Sequence, residues 1–406
     1  MTRLLWCSDH PILPTGYAQV TRNLLNQFKK ANIETHCLGF QLGGATIHWS
    51  KIDNVYLDFP IYNPVFLGEN YGDKGSIVHW SKIIKPDIVA FLCDSFMIKH
   101  LFDPKYKEEK DKIIKYMEKD NVVGKRLFYF PFDSQDVYTE AKPVIENMDI
   151  LVSMSKFGRD VLKKGTGKDC FYIPHGVDSA IYRPLPPSIV DPIKKENGWE
   201  KKFIVGCVSR NQSRKQMTRA IDAFKIFAEN KKDVVLFMHC HPKDPAGNDL
   251  IDYINKVGMK DKVVFSGMVS PFIGVPQSQV NLIYNCMDIH ILATSGEGFG
   301  LTIAESMACG VPNVCTDYTT ARELIEGHGE LAKVITFVSG DKNTDRAFVD
   351  VNDMAKKMDK LYYNEKLRKR YSEVGRRFIL DNYTWDRVVR AWLELFEWGE
   401  IKEKFI

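Results

Sequence analysis

No run of this 406-residue chain approaches the roughly 20 consecutive apolar residues that a membrane-spanning helix needs. The opening Met1–Trp6 turns polar at CSDHP, too soon for the apolar core of a secretory leader. No CxxC pair occurs among the nine cysteines, and several of them sit in apolar, strand-like runs, which suits buried thiols in a reducing compartment. His239-Cys240-His241 is the one metal-like spot, but neighbours on a strand point to opposite faces, so no metal site is expected there. Strong net charge is missing too: 56 basic and 52 acidic residues leave +4. That balance gives no footprint for nucleic acid, and none is expected as a partner. The expected location is cytoplasmic, in solution or in peripheral contact with a membrane.

The chain does have enough apolar residues for two cores, 44% of its length with 27% charged. Short apolar runs alternate with helical patterns. Strands are expected at 3–8, 87–93, 126–132, 149–155 and 170–174, and a helix at 17–30, where Val20, Leu24 and Phe28 recur at four-residue spacing. The charged stretch 105–120 also reads as helical. A second series follows, with strands at 203–209, 234–240, 262–267, 288–294 and 311–316, a helix at 216–229, and helical pattern over 353–406. Apolar runs without strict alternation suit parallel sheets covered on both faces, so the fold class is α/β. Between the series, YRPLPPSIVDPI (182–193) holds four prolines and reads as a linker.

Four segments carry chemistry. In TSGEGFGLTIAESMACGVPNV (294–314) a strand, a glycine-bearing loop and a helix follow one another. Gly298 and Gly300 permit close approach of a ligand, and the free N–H groups of the first helical turn suit a diphosphate. Glu297 and Glu305, eight residues apart, suit sugar hydroxyls as acceptors. A plain βα turn with two solvated glutamates gives the same pattern. In VGCVSRNQSRKQMTRAIDAF (205–224) a strand delivers Arg210, Arg214 and Lys215, which suit phosphate oxygens or simply form a basic surface loop. LPTGYAQVTRNLL (13–25) places Gly16 between strand and helix, and FYIPHGVD (171–178) has a tight turn at His175-Gly176; each is as readily a structural turn.

Together these segments resemble the family 4 retaining glycosyltransferases of the GT-B fold, over nearly the whole chain. The paired glutamates of that family match Glu297 and Glu305 in EGFGLTIAE, and its basic loop resembles SRNQSRK, with Arg210 and Lys215 at the cations and Ser209 where glycine is usual. Its N-terminal glycine loop resembles Pro14-Thr15-Gly16. VSMSKFGRDVL (152–162), IPHGVD, TDYTTARELI (316–325) and YTWDRVV (383–389) resemble further family segments.

The resemblance implies two Rossmann-like domains with parallel sheets facing across a deep cleft. It implies an acceptor domain over 1–185, a nucleotide-sugar donor domain over 186–380, and a terminal helix over 381–406 crossing back to the first domain. It implies retaining, metal-independent transfer of a hexose from a GDP- or UDP-linked sugar to a glycan, lipid or protein, with no obligatory cofactor. Arg210, Lys215, Glu297 and Asp133 would be catalytic. Gly16, Gly298, Phe299, Gly300, Leu301, Thr302 and Glu305 would bind the donor. Where many members place a histidine, FYFPFDS (128–134) offers Asp133, as an acceptor for a donor-sugar hydroxyl. A nucleotide-sugar epimerase of the same plan and a non-catalytic nucleotide-sugar-binding protein remain alternatives.

Overall fold

The computed structural model describes residues 2–42, 49–50, 55–64, 71, 75–102, 124–267, 274–340 and 344–405. The stretch 105–120 lies outside them. The chain forms two compact units, 1–176 with 385–406, and 177–384. Val177 donates its N–H to the Tyr383 carbonyl at 2.6 Å and forms a parallel bridge with Thr384, so the second unit begins and ends side by side.

In the first unit seven strands make one parallel sheet. In chain order they are Arg3–Asp9, Glu34–Phe40, Ile61–Tyr62, Ile88–Leu92, Lys125–Phe130, Ile150–Ser153 and Phe171–Tyr172. In the second unit six parallel strands do the same: Phe203–Val208, Val234–His239, Val263–Phe265, Ile289–Leu292, Asn313–Thr316 and Glu330–Ala332. Counted along the chain, both sheets run 3-2-1-4-5-6, the first adding its seventh strand at the edge. This is the doubly wound Rossmann order. It reverses direction between strands 1 and 4, where loops diverge and leave a crevice at the carboxyl ends.

The apolar runs are the central strands: Ile88–Leu92 and Phe203–Val208 are buried at every residue, as a sheet covered on both faces requires. The four-residue spacing of Val20, Leu24 and Phe28 buries one face of helix Gly16–Lys30. In the same unit Trp392, on helix Trp385–Trp398, packs edge-on against Trp6, Phe28 and Tyr129. His175 is 3% exposed with Nδ1 2.7 Å from the Tyr129 hydroxyl, and a Cβ on Gly176 would come within 2.4 Å of Trp385. The His175-Gly176 turn is therefore a packed structural corner of the first unit. All nine cysteines are unpaired, and only Cys170 is not buried.

Two departures from the sequence reading have clear causes. Half of the expected linker is helix Pro187–Glu196. Pro187 takes the first helical position, where no N–H bond is needed and its fixed φ already fits. Pro192 sits inside the helix, at the expense of one backbone bond. The units accordingly change at 176/177 and 384/385, against 185/186 and 380/381 expected. Unread in the sequence was an antiparallel hairpin, Val334–Ser339 with Asp345–Val349. Its first strand is exposed along most of its length, so it shows no half-buried alternation.

Candidate active site

The crevice of the second sheet lies between the loops that follow Phe203–Val208 and Ile289–Leu292. The first loop carries Arg210, Arg214 and Lys215; the other carries Glu297 and leads into helix Leu301–Ala308. Sheet order, not sequence proximity, makes these two loops neighbours.

They are stitched together. The Arg214 carbonyl accepts from both the N–H and the hydroxyl of Ser295, each at 2.8 Å, and the Arg214 guanidinium donates to the Gly296 carbonyl at 3.0 Å. Lys215 Nζ contacts Glu297 Oε1 directly, and Arg214 lies 3.6 Å from Glu297 Oε2. Both members of the Lys215–Glu297 pair are buried, with side chains 10% and 6% exposed. Burial pushes the Glu297 carboxyl up. The charges of Lys215 and Arg214 and the hydrogen bond from Lys215 more than offset this and hold it below the usual carboxylate range.

On its other side the basic loop is tied to the turn after Val234–His239. The Ser213 N–H donates to the Ala246 carbonyl at 3.0 Å, and Asn211 Nδ2 donates to the Asn248 carbonyl at 2.7 Å. Arg210 makes a two-point contact with Asp244, at 2.7 Å and 3.2 Å. The Asp244 side chain is wholly buried, while that of Arg210 is 48% exposed. Burial raises the Asp244 carboxyl, but the Arg210 contact and the Ala246 N–H bring it below its ordinary value.

Helix Leu301–Ala308 begins at Gly300 with φ 94° and ψ 53°, a left-handed conformation that glycine adopts without a Cβ clash. No side-chain hydrogen bond caps this helix start. Phe299 is buried and packs edge-on against Tyr383, whereas Gly298, Leu301 and Thr302 are partly exposed. Glu305 is 4% exposed and accepts from the Tyr284 hydroxyl at 3.0 Å. The reading of two solvated glutamates is thereby corrected, since both are buried and bonded.

Of the sequence-derived site residues, the second unit brings Lys215 and Glu297 into contact, three residues before the helix start. Arg210 stands at the same end of the sheet, but among the described residues its hydrogen bonds and ion pair go to Asp244. Gly16 and Asp133 belong to the first unit. Gly16 is exposed and opens its helix; the Thr15 hydroxyl caps that helix through the Ala18 N–H at 3.1 Å and donates to Asp9 at 2.6 Å. Asp133 follows strand Lys125–Phe130 and accepts from the Tyr138 hydroxyl. Sequence reasoning missed Asp244 and Tyr284. Only the turn-rich HPKDPAGND after a strand hinted at the former. Of the metal-like spot, His239 bonds Ser266 at 2.7 Å and Cys240 is buried.

Residues 190–378 match the family of group 1 glycosyl transferases. Residues 190–378, which carry the second sheet, thus resemble the group 1 glycosyl transferases, and the two parallel sheets follow the GT-B plan of solved glycosyltransferases. The chain is 25% identical over 290 residues to mannosylfructose-phosphate synthase of Agrobacterium fabrum, covering 69% of this chain and 60% of that protein. It is 29% identical over 161 residues to the lipopolysaccharide core biosynthesis mannosyltransferase LpsB of Rhizobium meliloti, covering 38% of this chain and 43% of that one. The matches thus span about half the length of these relatives. The structure of HepE from Anabaena, solved in complex with UDP and glucose, superposes with a TM-score of 0.72 at 14% identity, over 98% of this chain and 100% of that one.

Proposed function

We propose that the protein is a retaining glycosyltransferase that moves a hexose from a GDP- or UDP-linked sugar to a glycan, lipid or protein acceptor. The observation that carries this reading is the buried Lys215–Glu297 pair, flanked by Arg214, at the crevice of the second sheet and just before an uncapped helix start. The bond from the anomeric carbon to the diphosphate breaks with its electrons staying on the phosphate oxygen, while the acceptor hydroxyl oxygen bonds that carbon and its proton passes to the departing diphosphate. Lys215, Arg210 and the amides of Phe299, Gly300, Leu301 and Thr302 meet that growing charge as fixed donors, which is where electrostatic catalysis is strongest. These groups stand where a divalent ion would otherwise serve, so transfer is expected to survive chelation with EDTA. Glu297 grips the donor sugar, and Glu305 the ribose hydroxyls. Gly16 and Asp133 of the first unit are assigned as further donor-binding and hydroxyl-accepting residues, and that unit as the acceptor domain. Mannosyl transfer by LpsB and the complex of HepE with UDP and glucose are consistent with a nucleotide-sugar donor.

The test is incubation of the full chain with UDP- and GDP-linked hexoses and a panel of hydroxyl acceptors, with and without EDTA. Release of nucleoside diphosphate together with an α-linked product from an α-linked donor is expected. Sugar isomerisation without acceptor would make the protein an epimerase. Tight donor binding with no turnover on any acceptor would make it a binding protein.

The role of Glu305 has its own check. Glu305→Gln exchanges a charged acceptor for a half-donor. It is expected to weaken binding of the nucleoside diphosphate about tenfold or more, in line with hydrogen bonds to charged groups. Calorimetry showing unchanged affinity would remove Glu305 from the donor site.

A further inference from the structure

The turn after strand Asn313–Thr316 contains a residue in an unusual conformation. Thr319 has φ 52° and ψ −137°. That region belongs almost wholly to glycine, and a β-branched residue is strained there. Thr319 also precedes helix Thr320–Ile325, where a threonine hydroxyl ordinarily caps its own helix. Here it makes no cap bond. Instead its Oγ1 accepts the Glu297 N–H at 2.9 Å and donates to the Tyr318 carbonyl at 2.8 Å. The next residue completes the arrangement: the Thr320 hydroxyl is 2.9 Å from the Glu297 carbonyl and 3.0 Å from that of Gly298. Both threonines are buried, at 6% and 1% exposure.

The N–H and the C=O of one residue, Glu297, are therefore held by two consecutive hydroxyls from another loop. This fixes the backbone on either side of its Cα and leaves only side-chain torsions to decide where the carboxylate lies. Lys215 and Arg214 then fix those. We infer that Thr319 and Thr320 are positioning residues for sugar transfer, acting through Glu297; this rests on the function proposed above. The strain at Thr319 is retained because a relaxed turn would carry its hydroxyl away from the Glu297 amide. The clamp also sets the path of the chain into Gly300, and with it the direction of the phosphate-binding amides.

The experiment compares the full-length protein with Thr319→Val, Thr319→Ser and Thr320→Val. Valine keeps the shape and removes the hydroxyl; serine keeps the hydroxyl. Thr319→Val is expected to lower kcat tenfold or more while binding of free UDP or GDP changes less than threefold, and Thr319→Ser is expected to restore most of the loss. Equal losses in the valine and serine variants, or kcat and nucleotide affinity falling together, would reduce the pair to a merely structural role. Amide hydrogen exchange separates this idea from the enzymatic one. The Glu297 N–H is expected to be protected in the wild type and to exchange at least tenfold faster in Thr319→Val. Unchanged protection overturns the clamp whatever the enzyme transfers. If Thr319→Val fails to fold, a loss of kcat in Thr320→Val, with nucleotide binding kept, still supports the clamp, and its absence refutes it.

Discussion

Lys215→Ala is expected to cut kcat by roughly a hundredfold or more, the size of effect seen when one fixed transition-state donor is lost. It is also expected to destabilise the unit 177–384 by up to about 3–5 kcal/mol, because it leaves the buried Glu297 carboxylate with only Arg214, at 3.6 Å, to offset its charge. A basic loop on the surface would have given the first effect without the second. The structure corrects that picture, since Lys215 is buried against Glu297. The two effects can be separated. Lys215→Met combined with Glu297→Gln removes both charges at similar volume, and replacing a buried ion pair in this way is often neutral for folding. The double variant should recover most of the stability in urea unfolding and none of the turnover. Near wild-type kcat in Lys215→Ala, or a double variant no more stable than the single one, would show that the pair is not the centre of the site.

Acidification from pH 7 to pH 5 is expected to weaken the second unit well before its carboxylates protonate. Burial holds His290 at about 4 and His239 at about 4, against an ordinary 6.5. A histidine lowered in the fold charges more readily in the unfolded chain. Its contribution is full above about pH 6.5 and shrinks as pH falls towards 4. At pH 5 each of the two histidines removes about 2 kcal/mol. Glu297, Asp244 and Glu330 are lowered carboxylates, so their contribution is intact over this window and is lost only below the ordinary carboxylate range. Asp288, raised by burial, acts in the opposite sense as protons are taken up. Urea midpoints across pH 5–7 should therefore slope downward towards acid, and His290→Gln should flatten the slope. Equal slopes in both proteins would mean that His290 titrates normally in the fold. The ring has a defined place: Nδ1 lies 2.7 Å from Asn313 Oδ1, and Nε2 accepts the Val208 N–H at 3.2 Å.

How much of this was legible in the sequence depended on how local the signal was. Ile88–Leu92, Phe203–Val208 and Ile289–Leu292 are buried strands, and apolar runs of that length announce themselves. The Glu297–Gly300 loop was legible because its glycines, its acid and the following helix are contiguous. Pro187–Glu196 was misread because proline count speaks for a linker, whereas Pro187 occupies the one helical position that tolerates it well. The hairpin of Val334–Ser339 with Asp345–Val349 was missed because its first strand is exposed along most of its length and so has no buried face to impose period two. Asp244, Tyr284 and Thr319 were missed for a different reason. Each acts on a residue far away in sequence, and only the strand order 3-2-1-4-5-6 makes them neighbours. Nothing local marks Thr319 as left-handed, since threonine is a poor signal for that conformation.

The joined ends of the second unit have a practical meaning. With Val177 bonded to Tyr383 and bridged to Thr384, residues 177–384 form a cassette inserted into the first unit through adjacent entry and exit points. Two cuts at one spot excise it, and a short tether there can close it on itself or graft in the equivalent piece of a similar chain. The two units thereby become separately exchangeable parts of one polypeptide.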